Sequence, residues 1–193
     1  SYVSGKIGNA ASFNGSSSNI SIADNNNLSF TNGSGVDSPF SFSMWLKLNN
    51  QSDQWIINKR LVTSGTDEYQ FMYYQGKLSL FIFSSNNANY ISCIMITALS
   101  SSTQYYITAT YDGSETASGL KIYVNGVLQT TTNSMVGTYA GMPNGTAPVV
   151  IGKAGWFSSF YLNGTIDETA IYNTALSQTE IDLLYNSGNG ITL

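Results

Sequence analysis

The 193-residue chain has eleven carboxylates, seven cationic side chains, one cysteine and no histidine, and this inventory limits its chemistry. Without histidine, Ser–His–Asp and Cys–His nucleophilic sites are excluded, as is every His-ligated metal site. Cys93 sits in the apolar run Tyr90–Ile96 and reads as a small core residue, with no second cysteine to form an internal disulfide. A retaining glycosidase needs two carboxylates about 5 Å apart across one cleft. Asp67-Glu68 and Asp167-Glu168 are adjacent pairs, and neighbouring strand residues point to opposite faces. The sequence therefore predicts no catalytic residue and a protein that is not an enzyme.

Binding chemistry has better candidates. Glycans are held by aromatic faces laid against their C–H surfaces, with amides and hydroxyls at the margin. Trp55 follows the polar run Asn49–Gln54, and Trp156 lies in the loop Lys153–Phe157. Both read as exposed loop aromatics, and loops carry function disproportionately. Tyr69, Phe71 and Tyr73 alternate with Met72 and Tyr74, so one set faces a core and the other is open to a ligand. The ligand-binding set predicted from sequence is Trp55, Asp67, Glu68, Tyr73, Tyr74 and Trp156.

Charged residues make up only 9% of the chain, hydrophobic residues 42% and aromatics 13%, with a net charge of −4. That composition suits a folded domain whose solubility rests on Asn, Ser, Thr, Gln and Gly. No basic run exists to attract phosphates, which excludes nucleic acid as a partner. No apolar stretch approaches the roughly 20 residues of a membrane span, so membrane insertion is not expected. An uncharged hydrogen-bonding surface points to an extracellular, cell-surface or virion-associated setting.

The elements that must position these residues are strands. Phe40, Phe42, Met44, Leu46 and Leu48 share one face of an alternating segment. Further strands are predicted over 55–58, 68–74, 77–84, 90–97, 105–111, 147–152 and 162–172. Leu120–Val124 and Val127–Gln129 flank Asn125-Gly126, the pairing that a type I′ hairpin turn demands. One helix is predicted over 176–186, with Ser177 and Glu180 as a capping box and Leu176 and Ile181 as its hydrophobic staple. No linker or repeat divides the chain, so residues 1–193 read as one all-β domain: two packed antiparallel sheets with one short C-terminal helix.

Four stretches in order resemble the laminin-G-like, concanavalin A-like jelly-roll family. They are Gly5–Gly15 with its Phe13-Asn14-Gly15, Phe40–Lys47 with its strand tryptophan, Ala109–Gly113 with Leu120–Gly126, and Leu162–Tyr172 running into the capped helix. The resemblance implies a jelly-roll sandwich, and a recognition domain with carbohydrate as its favoured ligand. The alternative is a structural or adhesion domain of a viral, phage or secreted surface protein. In this family a structural Ca2+ often joins an acid on the last long strand to N-terminal backbone carbonyls. By resemblance Asp167 takes that place, with the Asp37 loop or Asn14-Gly15 as its partner. The family also carries a strand and turn ahead of the first stretch, whereas residue 1 falls almost at that stretch. An edge left uncovered there would be an interface, and a homo-oligomer or a multidomain parent chain stays open.

Overall fold

The computed structural model describes residues 1–61, 66–84, 88–155 and 159–192. Fourteen strands and one helix are assigned: β1 Tyr2–Ser4, β2 Asn9–Asn14, β3 Ile20–Ile22, β4 Phe40–Leu48, β5 Gln54–Lys59, β6 Tyr69–Tyr74, β7 Lys77–Phe83, β8 Tyr90–Met95, β9 Gln104–Tyr111, β10 Leu120–Val124, β11 Val127–Leu128, β12 Thr131–Val136, β13 Val149–Ile151, β14 Asn163–Tyr172 and α1 Gln178–Tyr185. They form two seven-stranded antiparallel sheets. The first runs β1-β2-β14-β4-β9-β10-β11 and the second β12-β8-β7-β6-β5-β13-β3. This is the predicted jelly-roll sandwich.

Strand alternation builds the core between the sheets. Phe40, Phe42, Met44, Leu46 and Leu48 of the first sheet meet Ile57, Tyr69, Phe71, Tyr73, Leu78, Leu80 and Ile82 of the second. Burying one such side chain is worth about 1.5–3 kcal/mol. Rings interlock across the interface, with Phe42 at 5.3 Å from Tyr69 and 6.4 Å from Phe71. Trp45 faces the opposite way from Phe42 and Met44. It is buried on the outer face of the first sheet, between Tyr106 and Tyr185 of α1 with Lys6 over its ring.

The predicted turns and caps are present. Asn125 and Gly126 have φ of 52° and 79°, the two positive values a type I′ turn requires. Ser177 and Glu180 form the reciprocal capping box. Residues 2–4 pair with β2, Tyr2 opposite Ala11. The edge of β2 is therefore covered by this short strand, which corrects the expectation of an uncovered edge. β12, six polar and apolar residues without regular alternation, pairs with β8 through its whole length.

Candidate ligand-binding face

The outer face of the second sheet carries the unusual chemistry. Residues pointing away from the core on β5 to β8 and β12 include Trp55, Asn58, Gln70, Met72, Ser79, Phe81, Phe83, Tyr90, Ser92, Ile94 and Ser134, as the strand registers require. Trp55, Met72 and Ala154 form an apolar cluster separate from the main core, with half-buried Phe81 packed against it. Phe81 stacks on Phe83 at 6.2 Å and meets Tyr90 at 5.5 Å. Beside these rings lie serine hydroxyls, with Ser92 and Ser134 paired at 2.9 Å. Phe81 and Tyr90 are both half-buried, so part of each ring faces solvent. From β5 to β8 is three strand spacings, about 14 Å.

At one end of this face Arg60 is held rigidly. Its guanidinium lies 3.9 Å from the Phe83 ring and donates to Gln70 Oε1 and, at 2.9 Å, to Asp67 Oδ2. Burial lowers the Arg60 pKa, and the Asp67 hydrogen bond and charge oppose that shift. The charge is thus matched inside the face. At the other end Phe160, 39% exposed, lies 4.5 Å from Trp55. Phe160 has a φ of 60°, which for a bulky residue is a strained conformation and a pointer to a functional surface. The ligand-binding set predicted from sequence omitted Phe81, Tyr90 and Phe160. Phe81 was left out because β6 and β7 both carry aromatics and alternation does not say which set faces the core.

The structure relocates most of the predicted ligand residues. Trp55 is 8% exposed: Ala154 and Phe160 pack against it, which corrects the expectation of an exposed loop tryptophan. Tyr73 is fully buried in the main core, where its hydroxyl donates to Gln51 Oε1 at 2.6 Å. Asp67 and Glu68 are buried and neutralised by Arg60 and Lys59, so they form no open loop. Tyr74 alone of the described set is exposed, at the β6–β7 turn. Trp156 lies outside the described residues.

Lys59 organises the end of the sandwich. Its ammonium donates to Glu68 Oε1 at 2.5 Å, Asp24 Oδ1 at 2.8 Å and the Gly145 carbonyl at 3.0 Å. Glu68 also accepts the Gly145 N–H at 3.0 Å. One cation serves two carboxylates here, and burial of the second pushes the Glu68 carboxyl up to about 7, against the pull of Lys59, Ser29 and the Gly145 N–H. Asp24 and Glu68 are necessarily close, a spacing that a retaining glycosidase would use. Lys59 stands between them, however, and Glu68 has no exposed surface, so no glycosidic oxygen can reach the acid.

The two residues predicted to hold calcium each accept hydrogen bonds from the protein. Asp167 accepts the N–H of Ile7 at 2.9 Å and of Glu168 at 3.0 Å, one on each oxygen. It latches the Gly5–Gly8 turn to a bulge in β14. Asp37 accepts the hydroxyls of Tyr111, at 2.7 Å, and Tyr139, and the N–H of Met142 at 2.6 Å. Burial and the Asp37 charge push both tyrosine pKa values far up. Calcium is coordinated by oxygens, and here the carboxylates face N–H and O–H donors. Both carboxylates are thus engaged in holding loops to strands. Among the described residues no three His, Cys, Asp or Glu side chains are grouped to hold a metal.

Comparison with known proteins follows the same lines. The family described as the concanavalin A-like lectin/glucanases superfamily matches residues 14–182. Curated protein sequences yield no match. Among solved structures, the binding domain of Paraclostridial Mosquitocidal Protein 1 superposes with a TM-score of 0.71 at 18% identity, over 97% of this chain and 45% of that one. The chain thus spans about half of that domain. Domain 4 of AbnA, a GH43 extracellular arabinanase from Geobacillus stearothermophilus in complex with arabinotriose, gives a TM-score of 0.65 at 20% identity, covering 98% of this chain and 80% of that one. A heptameric SAP-like pentraxin from Limulus polyphemus gives 0.57 at 18% identity, over 91% and 84%. At these identities the likeness concerns the fold.

Proposed function

The chain belongs to the concanavalin A-like lectin/glucanase superfamily, and we propose that it is a non-catalytic domain that binds a neutral glycan on the outer face of its second sheet. The observation that carries this reading is the half-buried Phe81–Tyr90 pair, set beside serine hydroxyls on a face whose one buried cation is already matched. Aromatic rings present a surface for sugar C–H groups, and the hydroxyls supply direction. An arabinotriose complex in one structural relative, and a binding-domain role in another, support the same class of activity. Action outside the cell, as for the extracellular arabinanase, accords with the sparse charge.

The acids give little support to catalysis. Asp24 and Glu68, held close by shared bonds to one ammonium, are bridged by that buried lysine. A glycan array probed with the wild type and with a Phe81→Ala/Tyr90→Ala double variant tests the proposal. Binding to neutral oligosaccharides that disappears in a folded double variant supports it. No binding to any glycan by folded wild-type protein refutes it and favours the structural or adhesion role.

A further inference from the structure

The free edge of the second sheet is built differently from the other edges. β1 and β3 are three residues each and β11 is two. β12 runs six residues in unbroken register with β8, and five of the six are exposed. Natural sheets blunt such edges with charge, proline, bulges or brevity. Thr131–Val136 has none of these, and no charged residue occurs from Ile122 to Gly152.

The backbone of this edge has a definite pattern. The Ile96 N–H donates to the Thr130 carbonyl, and antiparallel residues alternate between facing and turning from a neighbour. Thr132, Ser134 and Val136 therefore bond to β8, while Thr131, Asn133 and Met135 turn their N–H and C=O outward. Nothing among the described residues accepts from those three amides. Along the strand itself, Met135 and Val136 are exposed apolar residues.

We propose that β12 is the docking edge for a second copy of this chain. A two-fold axis normal to the sheet at Asn133 sets Asn133 against its own copy and Thr131 against Met135. Each outward-facing pair exchanges two hydrogen bonds, and side chains stay on matching faces of the joined sheets. The lack of charge means nothing repels an identical edge, and exposed Met135 and Val136 supply apolar contact. The proposal does not depend on the glycan reading. Where both hold, the two outer faces become continuous through Thr132 and Ser134, and a clustered ligand gains avidity.

Sedimentation equilibrium from low to high micromolar concentration tests this. Wild type should approach twice its 20.8 kDa mass. Met135→Lys, which replaces an apolar edge residue with a charge set against the partner's Thr131, should raise the dissociation constant about tenfold or more. Met135→Pro, which removes an outward N–H while sparing the β8 ladder, should be monomeric. Val3→Lys on the opposite edge should dimerise like the wild type. If Met135→Pro does not fold, Met135→Lys decides, because it leaves the backbone intact. A wild type that stays monomeric throughout overturns the proposal, as does a dimer indifferent to Met135→Lys or lost in Val3→Lys.

Discussion

Replacing Glu68 by glutamine should change how stability depends on pH. In the fold Glu68 is fully buried and shares Lys59 with Asp24, and its carboxyl is raised from an ordinary 4.5 to about 7. A carboxyl whose pKa is raised on folding binds its proton more tightly in the folded state. Its contribution is fully present below about pH 4.5 and is lost as pH rises through about 7. The interval of about 2.5 pH units, at 1.36 kcal/mol per unit, corresponds to about 3 kcal/mol. For a domain of this size that is a shift in Tm of about 6–12 °C. Other carboxylates titrate over the same range, so the wild-type trend alone is not diagnostic. The difference between wild type and Glu68→Gln is, because glutamine keeps the shape of the protonated acid without the ionisation. Thermal unfolding followed by circular dichroism from about pH 4 to about pH 8 should show the variant gaining on the wild type as pH rises. A gap that stays constant, or that widens in favour of the wild type toward high pH, would mean that Glu68 is held ionised by Lys59 and would refute the reasoning.

Two further outcomes follow from the other buried carboxylates. Tyr139→Phe removes one of three donors to Asp37 and should lower unfolding stability by about 1.5–3 kcal/mol in urea titration. Asp167→Ala strands the Ile7 and Glu168 amides and should lower stability by about 1–3 kcal/mol. Adding a calcium chelator should leave the Tm of both wild type and Asp167→Ala unchanged, whereas a drop confined to the wild type would restore calcium to Asp167.

The parts of the fold legible in the sequence are those where one physical rule acts alone. Phe40–Leu48 alternates because its apolar face meets a sheet, and the Asn125-Gly126 turn and the Ser177–Glu180 cap are local backbone solutions. The candidate site was less legible because its determinants are long-range. Trp55 follows a polar run and reads as exposed, yet Ala154 and Phe160, far along the chain, pack against it. Asp67 and Glu68 read as a loop pair, yet the β5–β6 register sets Lys59 and Arg60 beside them. The β6 aromatics Tyr69, Phe71 and Tyr73 face the core and the β7 aromatics Phe81 and Phe83 face outward, and periodicity alone could not say which set was which. β12 left no trace because Thr131–Val136 has no apolar alternation. It is a strand only because β8 offers it a partner.

The most direct test of the central claim locates the ligand. Isothermal titration calorimetry with a neutral oligosaccharide bound by the wild type should lose measurable affinity in Phe81→Ala/Tyr90→Ala. Tyr172→Ala, which alters the distant groove lined by Asn26, Ser29 and Ile171, should leave affinity unchanged. Unaltered binding in the first variant, or loss in the second, would place recognition away from the outer face of the second sheet and contradict the account.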